Sequence, residues 1–343
     1  MPITQLGPAA DDAIRACHGL MAAATRADDP AEPPQSVHAC KTSLFGAWSG
    51  SPVEAWYVPD GETGAAAVCR IEFPDLENPH WAFADIVVHP GRRRGGLGTA
   101  LLSHAAERAA ASGRTLLGAQ AQEGSTGETF AAHAGATFGK ADVRRIQDLR
   151  KVPGATLDEL RESAEKAAAG YSLVRWEGIT PDEFLDQVAN LVNALNDAPH
   201  DAGVEPHIWD ARRIRERQDA MITAYGQRRY SVAAVHEATG VMAALSAVSV
   251  DPAIPEWGHQ AVTMVTRPHR GHRLGLLVKV AMMDRLAAAE PRVEKIVTWN
   301  AAANDHMIGI NDALRYEVAG RPYRSVRLPV AKILSSLTSQ VTA

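Results

Sequence analysis

Cysteine is scarce in this sequence, which contains three among its 343 residues. Cys17, Cys40 and Cys69 are odd in number and do not show the spacing of metal ligands. A disulfide framework and a zinc site are therefore excluded as organising features. We expect reduced thiols and no bound metal.

Long apolar runs and an excess of positive charge are also missing. No apolar run approaches the roughly 20 residues that cross a membrane, and the stretch around Asp11 and Asp12 lacks the basic-then-apolar pattern of a signal peptide. We therefore expect a cytoplasmic protein that does not bind membranes. The formal net charge of −5 disfavours general nucleic-acid binding. A monomer or a homodimer is expected.

The composition is that of a globular protein, with 46% hydrophobic and 22% charged residues. The length is comfortable for two hydrophobic cores. Strand and helix patterns alternate throughout, so we expect an α/β protein with a mixed, α+β type of sheet in each half. Helices are predicted at residues 11–27, 99–112, 129–134, 156–169, 180–193, 210–225, 276–288 and 304–314. Strands are predicted at residues 53–58, 65–73, 83–88, 115–121, 143–149, 171–176, 231–236, 241–250, 260–266, 295–299 and 323–328.

The segment 86–102 carries the most informative motif. An apolar, β-branched run ends at Pro90, and a basic, glycine-rich turn then leads into a helix rich in Ala and Leu. Glycines let several backbone N–H groups approach one anion because no Cβ intervenes, and the helix N-terminus adds about half a positive charge. The segment therefore predicts a phosphate-binding loop.

The same motif recurs 177 positions later, in the segment 265–277. Each copy lies between a predicted strand and a predicted helix. The residues that match at this one offset are Val88 with Val265, Arg93 with Arg270, Leu97 with Leu274 and Gly98 with Gly275. Several matches at one offset predict a duplicated domain.

Two well-known nucleotide-binding loops fit this motif poorly. A Walker loop needs Gly-Lys-Ser/Thr, which is absent, and a Rossmann fingerprint would have to end on Leu101 instead of Gly or Ala. The pattern Arg-x-x-Gly-x-Gly/Ala after a strand instead resembles the pyrophosphate loop of the GNAT (Gcn5-related) N-acyltransferase superfamily. Arg93, Gly96 and Gly98 fit its three fixed positions, whereas in the second copy Arg273 replaces the middle glycine.

The resemblance covers nearly the whole chain. It implies two fused GNAT folds, each a mixed sheet that splays open beside the loop strand, in a tandem plan similar to that of actinobacterial mycothiol synthase. Residues 1–152 would form an N-terminal GNAT-like domain, residues 153–170 a linker helix, and residues 171–343 a C-terminal GNAT domain. The boundary is predicted from the Lys-Val-Pro-Gly sequence at 151–154.

The resemblance also implies the donor. Acetyl-CoA, or another acyl-CoA, would pass its acyl group directly to an amine, with its diphosphate on the loop and its pantetheine arm along the loop strand. The residues expected to contact the donor in the first copy are Val87, Val88, Arg93, Arg94, Gly95, Gly96, Leu97, Gly98 and Thr99. Those expected in the second copy are Met264, Val265, Arg270, Gly271, His272, Arg273, Leu274, Gly275 and Leu276.

The family's proton source is the tyrosine of an Asn-x-x-Ala-x-x-x-Tyr motif. In the second copy Asn304 takes the asparagine position and Asn311 the tyrosine position. In the first copy Gly124 and Ala131 stand there, so both polar groups are lost. We therefore expect catalysis in the C-terminal domain, with Asn304 and Asn311 involved, and a pseudo-catalytic N-terminal domain.

A base and an acceptor site complete the expected chemistry. Asp85, within an apolar run, and Glu256, before the second loop strand, are the candidate bases, and burial would raise the pKa of Asp85. A structural carboxylate and a solvated loop charge are the alternatives. The candidate residues for binding a cationic amine are Asn196, Asp197, His200 and Asp201. Their alternative is a surface turn.

Three functions follow in order of preference. The first is an acyl-CoA-dependent N-acyltransferase that acts on a primary amine of a small molecule, such as an antibiotic or a biosynthetic intermediate. The loss of tyrosine from both motifs leaves open a non-catalytic acyl-CoA sensor. A GNAT-fold transferase with an aminoacyl-tRNA donor is the third, which the negative net charge disfavours.

Overall fold

The structure, a computed structural model, describes residues 2–47, 49–61, 64–197 and 204–341. The chain forms two compact units. The first unit comprises residues 1–142 and 320–343, and the second comprises residues 143–319.

The first unit alternates strands and helices as expected. Its strands are β1 (Thr4–Leu6), β2 (Val53–Asp60), β3 (Gly64–Glu72), β4 (Trp81–Val88), β5 (Leu116–Gln122), the first half of β6 (Thr137–Asp148) and β13 (Tyr323–Pro329). Its helices are α1 (Asp11–Asp28), α2 (Val37–Phe45), α3 (Leu97–Ala111), α4 (Thr126–His133) and α11 (Val330–Val341).

The sheet of the first unit has the order β1-β2-β3-β4-β5-β13-β6. β4 and β5 are parallel, and the other pairs are antiparallel. Because strand side chains alternate between faces, each face of the sheet buries its own cluster. Helices α3 and α11 cover one face, around Leu101 and Ile333. Helices α1 and α2 cover the other, around Ile14 and Leu44.

The second unit repeats this plan. Its strands are the second half of β6, β7 (Tyr171–Glu177), β8 (Arg228–His236), β9 (Met242–Val250), β10 (Trp257–Val265), β11 (Lys295–Ala301) and β12 (Tyr316–Val318). Its helices are α5 (Gly154–Ala167), α6 (Leu185–Asn193), α7 (Ala211–Arg213), α8 (Ala220–Ala224), α9 (Leu274–Ala289) and α10 (Asp305–Ala313). A π-helical turn joins α7 to α8.

The sheet of the second unit has the order β7-β8-β9-β10-β11-β6-β12. β10 and β11 are its parallel pair. Helix α9 packs on one face with α5, around Leu286 and Ala164. Helix α6 packs on the other face, where Leu191 and Met264 share a cluster. These mixed sheets flanked by helices confirm the predicted fold class.

The compact units divide the chain at other residues than the predicted boundary at 152. β13 lies in the first unit because it pairs with β5 over its whole length, from Tyr323 to Pro329. The predicted linker helix corresponds to α5, which packs on α9 within the second unit. The predicted division rested on the local sequence at 151–154, which contains no information about strand pairing. Helix α2, at Val37–Phe45, was also not predicted.

The three cysteines are free and buried. Burial raises the pKa of Cys17 to about 12 and that of Cys40 to about 11. None is therefore suited to act as a thiolate nucleophile. In the described part of the chain, every helix is too short or too polar to cross a membrane.

Candidate functional site

Each unit contains a strand that leaves its parallel neighbour after three residues. β4 pairs with β5 from Trp81 to Phe83, and β10 pairs with β11 from Trp257 to His259. Beyond these residues, one edge of β4 and of β10 has no strand partner among the described residues. Backbone N–H and C=O groups at such an edge are free to bind an extended ligand.

β10 carries an irregularity that β4 lacks. Its register with β9 shifts between Gln260 and Val262, whereas β4 pairs with β3 without a shift from Phe83 to Val88. The Gln260 side chain stabilises the bulge, because its Nε2 donates to the carbonyls of Val262 at 2.7 Å and Ala247 at 2.9 Å. A bulge redirects backbone groups and is common beside active sites.

The two predicted loops share one backbone conformation. In the first, Arg94 and Gly96 have positive φ angles of 65° and 82°. In the second, the equivalent residues Gly271 and Arg273 have φ angles of 90° and 52°. Each loop thus has two left-handed residues at the same places, one of them glycine and the other arginine. The equivalence predicted from the sequence extends to the backbone.

The shared geometry includes the arginine at the first fixed position of the motif in each loop. Arg93 Nε donates to the Val88 carbonyl at 3.3 Å, and Arg270 Nε donates to the Val265 carbonyl at 3.4 Å. The same bond therefore fixes each loop to the last residue of its strand. These arginines have a structural task besides any contact with an anion.

Two of the three arginines in the first loop, Arg92 and Arg93, pair with carboxylates of their own unit. Arg93 makes two hydrogen bonds to the Asp28 carboxylate, at 2.8 and 2.5 Å, and Arg92 makes two to Asp60, both at 2.7 Å. Hydrogen bonding to Asp28 raises the pKa of Arg93. Arg94 is exposed. The sequence alone did not indicate that Arg92 and Arg93 face carboxylates.

The loops lead into helix N-termini that suit an anion. The N-cap residues Gly96 and Arg273 provide no side-chain hydrogen bond to the first turn. The N–H groups of these turns therefore lack side-chain caps and could bind a diphosphate. The first-turn residues are Leu97, Gly98 and Thr99 in α3, and Leu274, Gly275 and Leu276 in α9.

Glycine at the second helical position allows a neighbouring helix to approach. A Cβ on Gly98 would lie 3.5 Å from the Phe130 ring of α4, and one on Gly275 would lie 3.0 Å from Ile310 Cδ1 of α10. Each loop is thus bordered by the helix that carries the second predicted motif. The two motifs of each copy lie together in space, as the resemblance implies.

Asn304 and Asn311 occupy different environments. Asn304 is the N-cap of α10, and its Oδ1 accepts from the Met307 N–H at 3.2 Å. Asn311 is 0% exposed. Its Nδ2 donates to Asn300 Oδ1 at 2.7 Å, and its Oδ1 accepts from Lys279 Nζ at 2.7 Å. Asn304 thus has a capping role, and Asn311 belongs to a buried chain of polar groups.

The candidate bases lie at different places in the two units. Asp85 pairs with Arg70 at 3.5 Å and is 61% exposed. Although its side chain reaches water, dense surrounding protein raises its pKa by desolvation, against the effect of Arg70. Glu256 precedes β10, at the end remote from the loop, and pairs with Arg292 at 2.9 Å. Backbone hydrogen bonding and Arg292 lower the pKa of Glu256, which weakens it as a base.

The candidate acceptor segment is partly described. The 3₁₀ turn Ala194–Asp197 lies against β10. Within it, Asn196 Nδ2 donates to the His207 carbonyl at 2.6 Å. The side chain of Asp197 and the residues His200 and Asp201 lie outside the described part of the structure. The turn therefore lies beside the loop strand of the second unit.

Two residues that the sequence analysis did not select lie in this region. His259 is the last residue of β10 paired with β11, and it is half-buried. Desolvation lowers its pKa, so its imidazole is neutral near pH 7 and able to accept a proton. Lys279 is 3% exposed in α9. A lone lysine within the apolar run 274–283 was the sequence feature that could have revealed it.

Comparisons with known proteins agree with this geometry. The profile of the "Acetyltransferase (GNAT) family" matches residues 20–126, within the first copy. No curated protein matches the sequence. Among solved structures, a tandem GNAT protein from the clavulanic acid biosynthesis pathway has 30% identity and a TM-score of 0.79. That likeness covers 96% of this chain and 98% of the other.

Two more distant structures share the fold. A GCN5-related N-acetyltransferase from Sphaerobacter thermophilus has 19% identity and a TM-score of 0.63, over 96% of this chain and 95% of its own. A GCN5-related glucosamine N-acetyltransferase region in a fungal multi-domain GH3 β-N-acetylglucosaminidase has 13% identity and a TM-score of 0.65. That match covers 95% of this chain and 38% of the other.

Proposed function

Because this chain belongs to the tandem GNAT acetyltransferase family, whose members use acetyl-CoA to acylate amines, we propose that it transfers an acetyl or other short acyl group to a primary amine of a small molecule. The similar tandem GNAT protein belongs to the clavulanic acid biosynthesis pathway, which supports an antibiotic or a biosynthetic intermediate as the acceptor of this chain. The reaction forms a C–N bond, breaks the C–S bond of the thioester, and releases CoA.

We place catalysis in the second unit, and one observation carries this proposal. β10 leaves β11 at His259, bulges between Gln260 and Val262, and then enters the loop at the N-terminus of α9. The pantetheine arm would lie along Met264 and Val265, and the diphosphate would bind the N–H groups of residues 270–276. Backbone N–H groups redirected by the bulge could hold the oxyanion of the attacked carbonyl.

The first unit would have a structural or donor-binding role. Its loop has the same backbone, but Arg92 and Arg93 already face Asp60 and Asp28. A diphosphate would have to compete with these carboxylates for the guanidinium groups. β4 has no bulge, so its backbone groups are not redirected in the same way.

The residues that we propose for proton transfer include one that the sequence analysis did not select. Asn311 cannot act as an acid, because an amide does not release a proton at neutral pH, but the amide chain can donate a hydrogen bond to a leaving thiolate. His259 is better suited than Glu256 to take the proton of the amine, since its imidazole is neutral and lies beside the bulge. Asn196, in the turn against β10, would contact the acceptor.

A pair of matched charge reversals tests the proposal on the full chain. Arg93→Glu and Arg270→Glu remove equivalent arginines that make the same bond to a strand carbonyl. We expect Arg270→Glu to reduce CoA release from acetyl-CoA, with a panel of primary amines, by about 100-fold. Arg93→Glu should reduce it by less than about tenfold, and thermal melting of each variant serves as the folding control.

The opposite pattern would move catalysis to the first unit. Calorimetric binding of acetyl-CoA without CoA release across the panel would instead identify an acyl-CoA sensor. If acetyl-CoA does not bind at all, the proposal of an acyl-CoA-dependent reaction is wrong.

A further inference from the structure

Lys279 is a buried lysine that has no carboxylate partner among the described residues. It lies in the middle of α9, and the residues from Leu274 to Met283 around it are all buried. Its contacts among the described residues are the Asn311 Oδ1, at 2.7 Å, and the ring of Tyr316, whose centroid lies 4.3 Å from Nζ. Burying an ammonium costs several kcal/mol, in order of magnitude, unless its hydrogens are satisfied. A lysine kept here in spite of that cost calls for a role.

The chemistry of lysine determines the orientation of two amides. In its charged form Lys279 only donates hydrogen bonds, so Asn311 turns its Oδ1 toward the lysine. Its Nδ2 then faces Asn300 and donates to the Asn300 Oδ1 at 2.7 Å. Asn300 in turn is left with its Nδ2 as the free donor, which makes no hydrogen bond to the described residues. The lysine at the buried end therefore sets the donor-to-acceptor direction of both hydrogen bonds in the series Lys279–Asn311–Asn300.

Asn300, the outer end of this hydrogen-bonded series, lies where the sheet opens. Asn300 is on β11, three residues beyond Val297, the last residue paired with β10. It is half-buried, whereas Asn311 is fully buried. The hydrogen-bonded series of side chains therefore runs from the core of the second unit to the gap where β10 and β11 separate. The proposed function places the donor's pantetheine arm in this gap.

We infer that Lys279 is a positioning residue, which holds Asn311 and Asn300 in one orientation so that the Asn300 Nδ2 donates to the sulfur of the leaving thiolate. The inference rests on the proposed function. In this proposal the amides of Asn311 and Asn300 assist the leaving thiolate, a role for which the family uses a tyrosine. The lysine acts through Asn311 and Asn300 and does not itself touch the sulfur.

The surroundings of Lys279 suit this task. Tyr316 is neutral, because burial raises the pKa of its phenol far above the ordinary value, and Asn311 is an uncharged amide. Burial alone lowers the pKa of Lys279 to about 7. A thiolate at the other end of the chain would favour the charged lysine, and the charged lysine would favour the thiolate. The two groups would therefore titrate as a coupled pair.

The pKa of the thiol in bound CoA tests the inference without any acceptor. The full-length protein is saturated with CoA, and the thiolate of the bound CoA is titrated by its ultraviolet absorbance. In the Lys279→Met complex we expect the thiol pKa to be about one unit higher than in the wild-type complex, because the amides are no longer oriented. The control Lys295→Met removes another lysine of the second unit, one that contacts Trp257 and not the amide chain. It should leave the thiol pKa unchanged.

A second variant covers the case in which Lys279→Met does not fold. Asn300→Asp keeps the acceptor for Asn311 but replaces the outward donor by a carboxylate oxygen, and it should also raise the thiol pKa. An unchanged thiol pKa in either folded variant overturns the inference. Failure of wild-type protein to bind CoA would instead defeat the proposed function, so the two failures are distinguishable.

Discussion

Gly96 and Arg273 have the same left-handed conformation at the same place, the N-cap of the helix that follows each loop, with φ angles of 82° and 52°. The conformation strains any residue with a Cβ and is natural for glycine. Arg273 adopts this conformation in spite of its cost in free energy, which indicates that the path of the loop backbone outweighs that cost. The duplicated loops therefore keep their geometry even where the sequence motif is broken.

The strain that a Cβ at position 96 would introduce is measurable. We expect Gly96→Ala to lower the free energy of unfolding by about 1 kcal/mol, since alanine must adopt the positive φ angle. Gly95→Ala is the matched control, because Gly95 has an ordinary φ angle and a Cβ there would lie 3.7 Å from its nearest neighbour, the Arg92 carbonyl oxygen. Urea denaturation compares the two. Equal losses for both variants would show that the left-handed conformation is not the cause.

The fold was predictable because its information is local. The glycine-rich turn after 83–88 and its repetition after 260–266 indicated two copies of one strand–loop–helix unit, and β4, β10, α3 and α9 are found there. The location of β13 in the first unit was not predictable. It depends on pairing between residues some 200 positions apart, such as Val326 with Ala119, and no local pattern encodes that choice.

The position of the loop backbone in the fold was predictable from the sequence, and the side-chain contacts around it were much less so. The loop residues from Arg93 to Thr99 and from Arg270 to Leu276 lie where the motif places them. The roles of Asn304 and Asn311 could not be separated by motif alone, because one caps a helix and the other is buried. Nor could the sequence indicate that Asp28, 65 residues from Arg93, binds its guanidinium.

The contact of Asp28 with Arg93 leads to a second prediction. Asp28→Asn removes the charge that competes with an anion but keeps the size of the side chain. In an Arg270→Glu background, which weakens the second loop, we expect acetyl-CoA to bind the first unit several-fold more tightly after this change. Calorimetry measures the affinity, and Asp12→Asn, an exposed change on the same helix, is the control.

The stability cost of Asp28→Asn should be small. The pair is partly exposed, with 26% and 40% of the two side chains accessible, and such pairs contribute less than about 1 kcal/mol. If the affinity does not rise, Asp28 does not limit anion binding by the first loop, and the argument that favours the second unit loses one of its supports.

A cluster of histidines in and beside the second loop predicts proton uptake on CoA binding. His269 bonds the Tyr171 hydroxyl at 2.8 Å, and the rings of His236 and His272 lie close to these residues. Burial, and then His236 and His272, lower the pKa of His269. A bound diphosphate would raise it again, because an anion favours the imidazolium.

The sign of the pH dependence follows from this shift. Bound CoA raises the pKa of His269, so binding takes up protons at a pH between the lower free value and the higher bound value. The affinity for CoA should therefore fall as pH rises through that window, which extends upward from the lowered pKa of His269 in the free protein. Calorimetry in two buffers of different ionisation enthalpy measures the uptake. It should decrease in His269→Gln, and an equal uptake in both proteins would contradict the prediction.

The final prediction concerns His259, the proposed base. Desolvation lowers its pKa below the ordinary value, against a smaller opposing effect of Asp251. The neutral imidazole is the form that accepts a proton, so kcat/KM for an amine should rise with pH through this lowered pKa. Above the ordinary imidazole pKa of about 6.5, where His259 is already neutral, its titration should no longer change kcat/KM. His259→Gln should reduce kcat roughly 100-fold while leaving calorimetric binding of acetyl-CoA within about twofold.

Glu256→Gln is the control for the base predicted from the sequence, since its carboxylate is exposed and paired with Arg292. A large loss of kcat in Glu256→Gln together with a small loss in His259→Gln would return the role of base to Glu256, because loss of the base slows the chemical step and leaves donor binding intact.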